Sequence, residues 1–380
     1  MDAPRILVLG SGPTGLGAAW QLAASGHTTW TLIDCERRAA DSHACVVDHL
    51  GFLWDPGARP FLVGGTVFDD VVDRVLENGW ADHVLGTDDV VALESFDGCG
   101  ADAAARFRYP LLGGGGSFWW ALQNHLPSRN ILRETRVLSI DTDRQEVRFP
   151  GGEVEPYDVL ISTLPLRRLV ELIPDVPELR PRAGALPGAT AHFVGIAVNG
   201  QTPVGLESRF FSALRDVDGS IDLVTMLSSL SPRCVPRPER QWSLQVELRE
   251  SPDRRLDVGS IVNDTVNRLV EADILPEDAS IANLWHDKLE DGIPLRSLDD
   301  PVEDLLAVLD VLGIASCGRL GAWDSALVDP DLLFLSGVEA ATEALESISV
   351  TEQAPWLFES VGAATRVPWP DLDTHERFED

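Results

Sequence analysis

The chain is short of basic charge and almost free of lysine. Of its 380 residues, 30 are Lys or Arg against 61 Asp or Glu, and Lys288 is the only lysine. A formal charge of −31 with no basic stripe to offset it repels a phosphate backbone, so nucleic acid is not an expected partner. An anionic membrane surface is disfavoured for the same reason. Schiff-base chemistry has one candidate, Lys288. Cysteine is scarce as well: Cys35, Cys45, Cys99, Cys234 and Cys317 are scattered, odd in number and without CxxC spacing. Neither a disulfide framework nor a structural zinc site is expected, and a reducing cytoplasmic compartment fits. GxSxG, HExxH and EF-hand patterns are missing and the eight histidines are dispersed, which leaves no metal site in view.

Charge is also missing locally. Residues Ile6 to Ile33 hold no Asp, Glu, Lys or Arg. Such a run suggests a signal peptide or membrane span, but Gly-Ser-Gly-Pro-Thr-Gly breaks it early, little basic charge precedes it and Asp34 ends it, so a buried βαβ unit is the better reading. Strand Arg5–Leu9 enters the turn Gly10-Ser11-Gly12-Pro13-Thr14-Gly15, a helix follows through Ser25 with Gly26 after it, and a second strand, Thr28–Ile33, ends at Asp34. In a dinucleotide turn Gly10 permits the tight bend, Gly12 lets a pyrophosphate approach the backbone, and Gly15 packs the helix on the strand. Pro13 and Thr14 open the helix, whose N-terminus offers free N–H groups to an anion. Asp34, 19 residues after Gly15, is placed to accept from a ribose, favouring FAD or NAD over NADP. The alternative is an α/β turn that has lost its ligand.

At roughly 150 residues per domain the length suggests two domains, or one α/β unit with an inserted lobe. Phe68–Leu76 reads as a helix and Asp88–Phe107 as irregular. Gly113–Gly116 reads as a loop running close to a flat ring, or as a flexible linker, before a helix at Phe118–Leu126. Arg136–Ile140, Glu146–Phe149 and Val159–Thr163 are strand-like, and a sheet-rich stretch from Arg180 to Asp291 carries one helix, Ile261–Ala272. Helices at Pro301–Leu309 and Asp331–Ile348 precede a surface extension after Ser349. Asp69-Asp70 and Asp299-Asp300 read as solvated turns or helix N-termini, and His27 as structural.

Six separated blocks share a further pattern. The glycine turn, Gly51-Phe52-Leu53-Trp54-Asp55, Phe68-Asp69-Asp70, Arg108-Tyr109-Pro110-Leu111-Leu112-Gly113-Gly114, Gly318-Arg319-Leu320-Gly321-Ala322-Trp323 and Gly337-Val338-Glu339-Ala340 together resemble UDP-galactopyranose mutase in its eukaryotic-type branch, and more distantly the amine-oxidase and protoporphyrinogen-oxidase flavoproteins. The resemblance implies a discontinuous Rossmann-like FAD-binding α/β domain (1–179 and 292–348), an inserted antiparallel-sheet lobe on the substrate side (180–291), and a C-terminal extension (349–380). It implies that FAD contacts Gly10, Gly12, Pro13, Thr14, Gly15 and Asp34, and further along Gly57, Gly113, Gly114, Val137 and Arg319. In the mutases, reduced FAD bonds to the anomeric carbon of UDP-galactose and the sugar recloses as a furanose with no net redox change.

Four departures bear on function. Only residues 81 to 107 fill the place of the family's helical substrate lobe. The arginine that grips the substrate pyrophosphate aligns with Leu223, and active-site tyrosines with Ile293, Ser325 and Phe211 or a neighbour; Arg319 keeps its place. The paired glycines near the FAD phosphates are replaced within Arg37-Arg38-Ala39-Ala40-Asp41. Gly-Gly-His-Val beside the flavin reads Gly57-Ala58-Arg59-Pro60, so Arg59 sets a fixed cation over the flavin face or against an anionic substrate, or pairs with a carboxylate such as Asp55. The expectation is therefore an FAD-dependent oxidoreductase or flavin-adduct isomerase acting on an altered small-molecule substrate, a sugar or natural product. Arg319 and Arg59 would be its electrostatic catalytic groups, and a protein partner or second copy would cover the flavin face. The alternatives are a non-catalytic dinucleotide-binding partner protein and a genuine nucleotide-sugar mutase.

Overall fold

The uncharged N-terminal run forms the middle of a parallel sheet. In the computed structural model, which describes residues 3–37, 45–63, 67–76, 79–84, 106–206, 210–212, 221–297 and 300–353, strand Ile6–Leu9 lies between Trp30–Ile33 and Val159–Ser162. Ile131–Leu132 and Ile314–Ser316 complete the five strands, every pairing parallel. All four side chains of Ile6–Leu9 are buried, as a strand covered on both faces requires. Ile6 and Val8 face one apolar cluster with helices Pro13–Ala24 and Pro330–Gln353, while Leu7 and Leu9 face another with Leu169, Leu305 and Leu309. The first of these helix layers depends on two missing side chains. A Cβ on Gly17 would lie 2.0 Å from the carbonyl oxygen of Phe334, and one on Gly337 1.8 Å from that of Thr14, so the helices cross backbone against backbone.

Between the fourth and fifth strands of this sheet the chain leaves to build an antiparallel sheet, ordered Phe211–Ser212, Ile221–Thr225, Gln241–Glu250, Gly188–Asn199, Ser280–Pro294. This is the discontinuous α/β unit with an inserted antiparallel lobe that the sequence predicts. One face of the inserted sheet, with Val194, Ile196 and Val198, packs on helix Ile261–Glu271. On the other, Trp54 lies flat against the strand because position 195 is glycine: a Cβ there would meet the indole at 2.4 Å. Trp323 joins the two units, its Nε1 donating to the carbonyls of Pro187 at 3.1 Å and Leu295 at 3.2 Å, on either side of the insertion.

Several boundaries differ from expectation. The glycines at 114–116 are the first turn of a helix, Gly114–His125, and not a loop. Strand Ser139–Asp141 is shorter than the one expected from Arg136; just before it Glu134 and Thr135 donate to the Glu36 and Asp34 carbonyls. The ends of the 81–107 stretch are paired strands, Trp80–Val84 with Arg106–Pro110, and 85–105 lie outside the described residues, as do 38–44 and Cys99. Asp69 and Asp70 stand in the first turn of helix Val67–Val75 and Asp300 at the start of helix Val302–Val311, where its Oδ1 accepts from the Val302 amide at 3.3 Å; the Asp300 side chain is 1% exposed and pairs with Arg296. His27 ties back to the Pro4 carbonyl at 2.9 Å, and the last described helix runs on to Gln353. Among the described residues, no helix is long and apolar enough to cross a membrane.

Candidate functional site

The N-terminal turn separates its three glycines by cause. Gly10 has φ +95°, and a Cβ would press on Thr163 Oγ1 at 2.4 Å; a Cβ on Gly15 would lie 1.8 Å from the Gly10 carbonyl oxygen. Both are demanded by the protein's own packing. Gly12 is different: its φ and ψ, −69° and −179°, suit any residue, and among the described residues nothing lies within 4 Å of where its Cβ would be. The empty space lies at the start of helix Pro13–Ala24, whose first-turn N–H groups have no intrahelical acceptor and no capping side chain. An anion approaching there meets free donors, the positive end of the helix dipole and no side chain.

Asp34 closes the other side. Its Oδ2 accepts from the Ser11 amide at 2.6 Å and from the Ser11 hydroxyl, and Oδ1 from the Glu36 amide at 2.8 Å. A carboxylate has about four acceptor positions, so Oδ1 keeps one for a ribose hydroxyl. Ser11, the residue between the first two glycines, is a partner that sequence reasoning passed over. Val137 lies two residues beyond Thr135, whose amide donates to the Asp34 carbonyl at 2.8 Å, which brings it to this end of the sheet.

The second glycine run rests on a buried carboxyl. Gly113 (φ +77°) and Gly114 (φ +64°) turn the chain into the helix, and a Cβ on Gly114 would meet Cys45 Sγ at 2.4 Å and Asp55 Oδ2 at 3.0 Å. The Gly115 amide donates to Asp55 Oδ2 at 2.9 Å, and the Tyr109 hydroxyl donates to the same oxygen. Burial pushes the Asp55 carboxyl above the usual carboxylate range, against the pull of these donors, and lifts the Tyr109 hydroxyl and the Cys45 thiol well above theirs. Gln245 Nε2 donates to the Asp55 carbonyl at 2.7 Å, tying this loop to the inserted sheet. The sequence hint was a carboxylate closing the apolar run Phe52–Trp54, two residues before Gly57.

Arg59 takes a different carboxylate from the one foreseen. Its Nη2 pairs with Glu247 Oε2 at 2.7 Å and Nη1 donates to the Ala58 carbonyl at 3.0 Å. Asp55 is instead held by Tyr109 and Gly115. Gly57 (φ +71°) turns the loop between them, where a Cβ would come within 3.9 Å of Glu247.

Arg319 stands between the turn and the inserted lobe. Gly318 has φ +78°, and its missing Cβ makes room for Thr14, whose Oγ1 would be 2.6 Å away. The Cys317 amide donates to the Ser162 carbonyl at 3.0 Å, fixing the segment to the sheet end. Arg319 Nε is out of contact with water and has no hydrogen-bond partner among the described residues. Burial first, and then the neighbouring Arg59 guanidinium, pull its pKa from 12.5 to about 10, which leaves it charged at neutral pH. Leu223, by contrast, is fully buried in the core against Phe211. Gly10, Gly12, Thr14, Gly15, Asp34 and Arg319 thus meet at one end of the parallel sheet, with Arg59 and Gly57 across from Arg319. An open depression of about 360 Å³ bordered by Asn199, Arg237 and Gln241 lies at the opposite end of the long strands and touches none of them.

No protein-family model matches the chain. Solved structures do resemble it. A reduced UDP-galactopyranose mutase superposes with TM-score 0.79 at 22% identity, over 91% of this chain and 96% of that one. A protein from Exiguobacterium sp. 255-15 assigned as a protoporphyrinogen oxidase gives 0.67 at 15%, over 92% and 99%. A fatty acid isomerase from P. acnes that produces CLA gives 0.64 at 12%, over 90% and 98%. At these identities the likeness establishes the fold.

Proposed function

We propose that the chain is an FAD-dependent enzyme, an oxidoreductase or flavin-adduct isomerase, acting on a small sugar-like or natural-product substrate. The observation that carries the reading is Gly12, a glycine that no described residue requires, facing open space at a helix start whose N–H groups await an acceptor. The residues fit the cofactor: the turn accepts a pyrophosphate, Asp34 Oδ1 keeps room for a ribose hydroxyl, and Arg319 stands beyond Thr14. A bound flavin would supply a ring able to exchange hydride or to bond to a substrate carbon. The chain's own contribution is to orient that ring and to place fixed charge beside it through Arg319 and the Arg59–Glu247 pair. Two of the similar structures, by name a mutase and an isomerase, rearrange their substrates, which supports keeping isomerisation beside oxidation. The buried Leu223 argues against a nucleotide diphosphate as the substrate, because no donor stands there to meet a second phosphate charge.

The test is the absorption spectrum of the purified protein before and after dithionite, with FAD supplied if the protein is colourless. Bands near the flavin positions that bleach on reduction are expected. A protein that is colourless and takes up no added FAD refutes the reading.

A further inference from the structure

Three guanidiniums and two carboxylates gather where Arg319 meets the inserted sheet. Glu247, paired in register with Phe193 and Leu223, lies on the same face as Gln245 and Arg249. Arg59 Nη2 holds Glu247 at 2.7 Å, and Arg249 Nε holds Asp222 at 3.0 Å. Each carboxylate therefore has its own arginine. Arg319 lies within electrostatic reach of all four groups, yet no ion pair to it is found among the described residues, and its Nε lacks any partner. Asp55 also lies within electrostatic reach of Arg59, but its carboxyl is held by the Tyr109 hydroxyl and the Gly115 amide. Of these three guanidiniums and two carboxylates, Arg319 is the group without an ion pair among the described residues, in a protein whose overall charge is −31. A buried N–H with nothing to donate to is costly, at about 1–3 kcal/mol, so its persistence points to an acceptor that arrives from outside.

Resting on the flavoenzyme reading above, we propose that Arg319, flanked by the Arg59–Glu247 and Arg249–Asp222 pairs, is the anchor for one carboxylate group of the substrate. A guanidinium edge presents two parallel N–H groups that match the two oxygens of a carboxylate. A single unpaired guanidinium balances one carboxylate, whereas a phosphate or diphosphate brings more negative charge than the cluster can offset.

The experiment is calorimetric titration of the purified protein, its FAD content recorded by absorbance, with benzoate, hexanoate, inorganic phosphate and pyrophosphate at constant ionic strength. The carboxylates are expected to bind and the phosphates not, with affinity falling about tenfold or more in Arg319→Gln and by a smaller factor in Arg319→Lys, which keeps the charge but loses the paired N–H edge. Asp222→Asn adds one net positive charge without touching Arg319, and it should tighten carboxylate binding and admit phosphate. Equal carboxylate affinity in wild type and Arg319→Gln, tighter pyrophosphate than carboxylate, or no carboxylate binding at millimolar concentration overturns the proposal. If Arg319→Gln fails to fold, the direction of the Asp222→Asn effect decides alone, a weakening or no change being the refuting result. Arg319-dependent carboxylate binding in a protein that takes up no FAD would sink the flavin reading and leave the anchor. A flavin-loaded protein without such binding would do the reverse.

Discussion

Substitution of Gly12 by alanine separates a glycine kept for a ligand from one kept for packing. Its backbone angles are open to alanine and its Cβ would meet no atom of the described residues within 4 Å. The folded state therefore gains no clash, while the unfolded chain loses freedom, a net stabilisation of roughly 0.4–1 kcal/mol. With about 2.1 cal/mol/K of unfolding entropy per residue, a 380-residue chain moves by only about 1 °C per kcal/mol, so the melting temperature of Gly12→Ala should stay level or rise by about 1 °C. Gly15→Ala is the control: its Cβ would sit 1.8 Å from the Gly10 carbonyl oxygen, a backbone atom that cannot swing aside. Overpacking of that kind costs about 1–3 kcal/mol or more, and the melting temperature should fall by a few degrees.

Cofactor binding should show the opposite ranking. A phosphate oxygen accepting from the turn's N–H groups at about 2.7–3.2 Å leaves no room for a methyl group between them. Loss of one or two such charge-assisted bonds weakens binding by about tenfold or more. Titrating the cofactor-free protein with FAD, followed by quenching of flavin fluorescence, beside thermal melts of the same samples, measures both quantities. If Gly12→Ala binds FAD as wild type does, or melts as low as Gly15→Ala, the assignment of this turn is wrong.

Asp55→Ala leaves the buried Tyr109 hydroxyl and Gly115 amide without an acceptor, at about 1–3 kcal/mol each, so a loss of several kcal/mol in denaturant melts is expected; Asp55→Asn, which resembles the neutral form favoured by burial, should lose clearly less. Trp323→Phe should weaken the joint between the units, because the Pro187 and Leu295 carbonyls lose their shared donor, and proteolysis should quicken near 187 and 295. Acid should destabilise the protein through the inserted sheet, where His192 bridges Glu250 and His286 at 3.0 Å each. Burial and His192 lower the pKa of His286 from 6.5, so above that pH it contributes nothing, and below it the unfolded chain takes the proton first and stability falls until the folded value is passed. Burial alone would raise the pKa of Glu250, but the bonds from Arg255 and His192 outweigh it and hold it below 4.5, which adds stability that is lost as pH falls through the folded value. His286→Asn should flatten the decline in melting temperature between pH 7 and 5, and an unchanged slope would contradict this.

What could be read from the sequence follows from range. The βαβ unit is written locally, in an uncharged run whose turn, helix and closing acid lie within 34 residues, and the fold keeps all of them. The glycine run at 113–116 was misread because glycine disfavours helix, and what makes it helical is distant: Asp55 and Cys45 take the free amides of its first turn, and Gly114 can have no Cβ beside them. Arg59 was read as facing the flavin, an anionic substrate or a carboxylate such as Asp55, whereas the carboxylate it pairs with comes from a strand nearly 190 residues away, set opposite by the register of the inserted sheet. The unpaired state of Arg319 is of the same kind, since it appears only when Glu247 and Asp222, from adjacent strands of the inserted sheet, are seen to pair with other arginines. A pattern of residues thus locates a glycine turn and its closing acid, but which charges remain unpaired beside it is decided by long-range pairing.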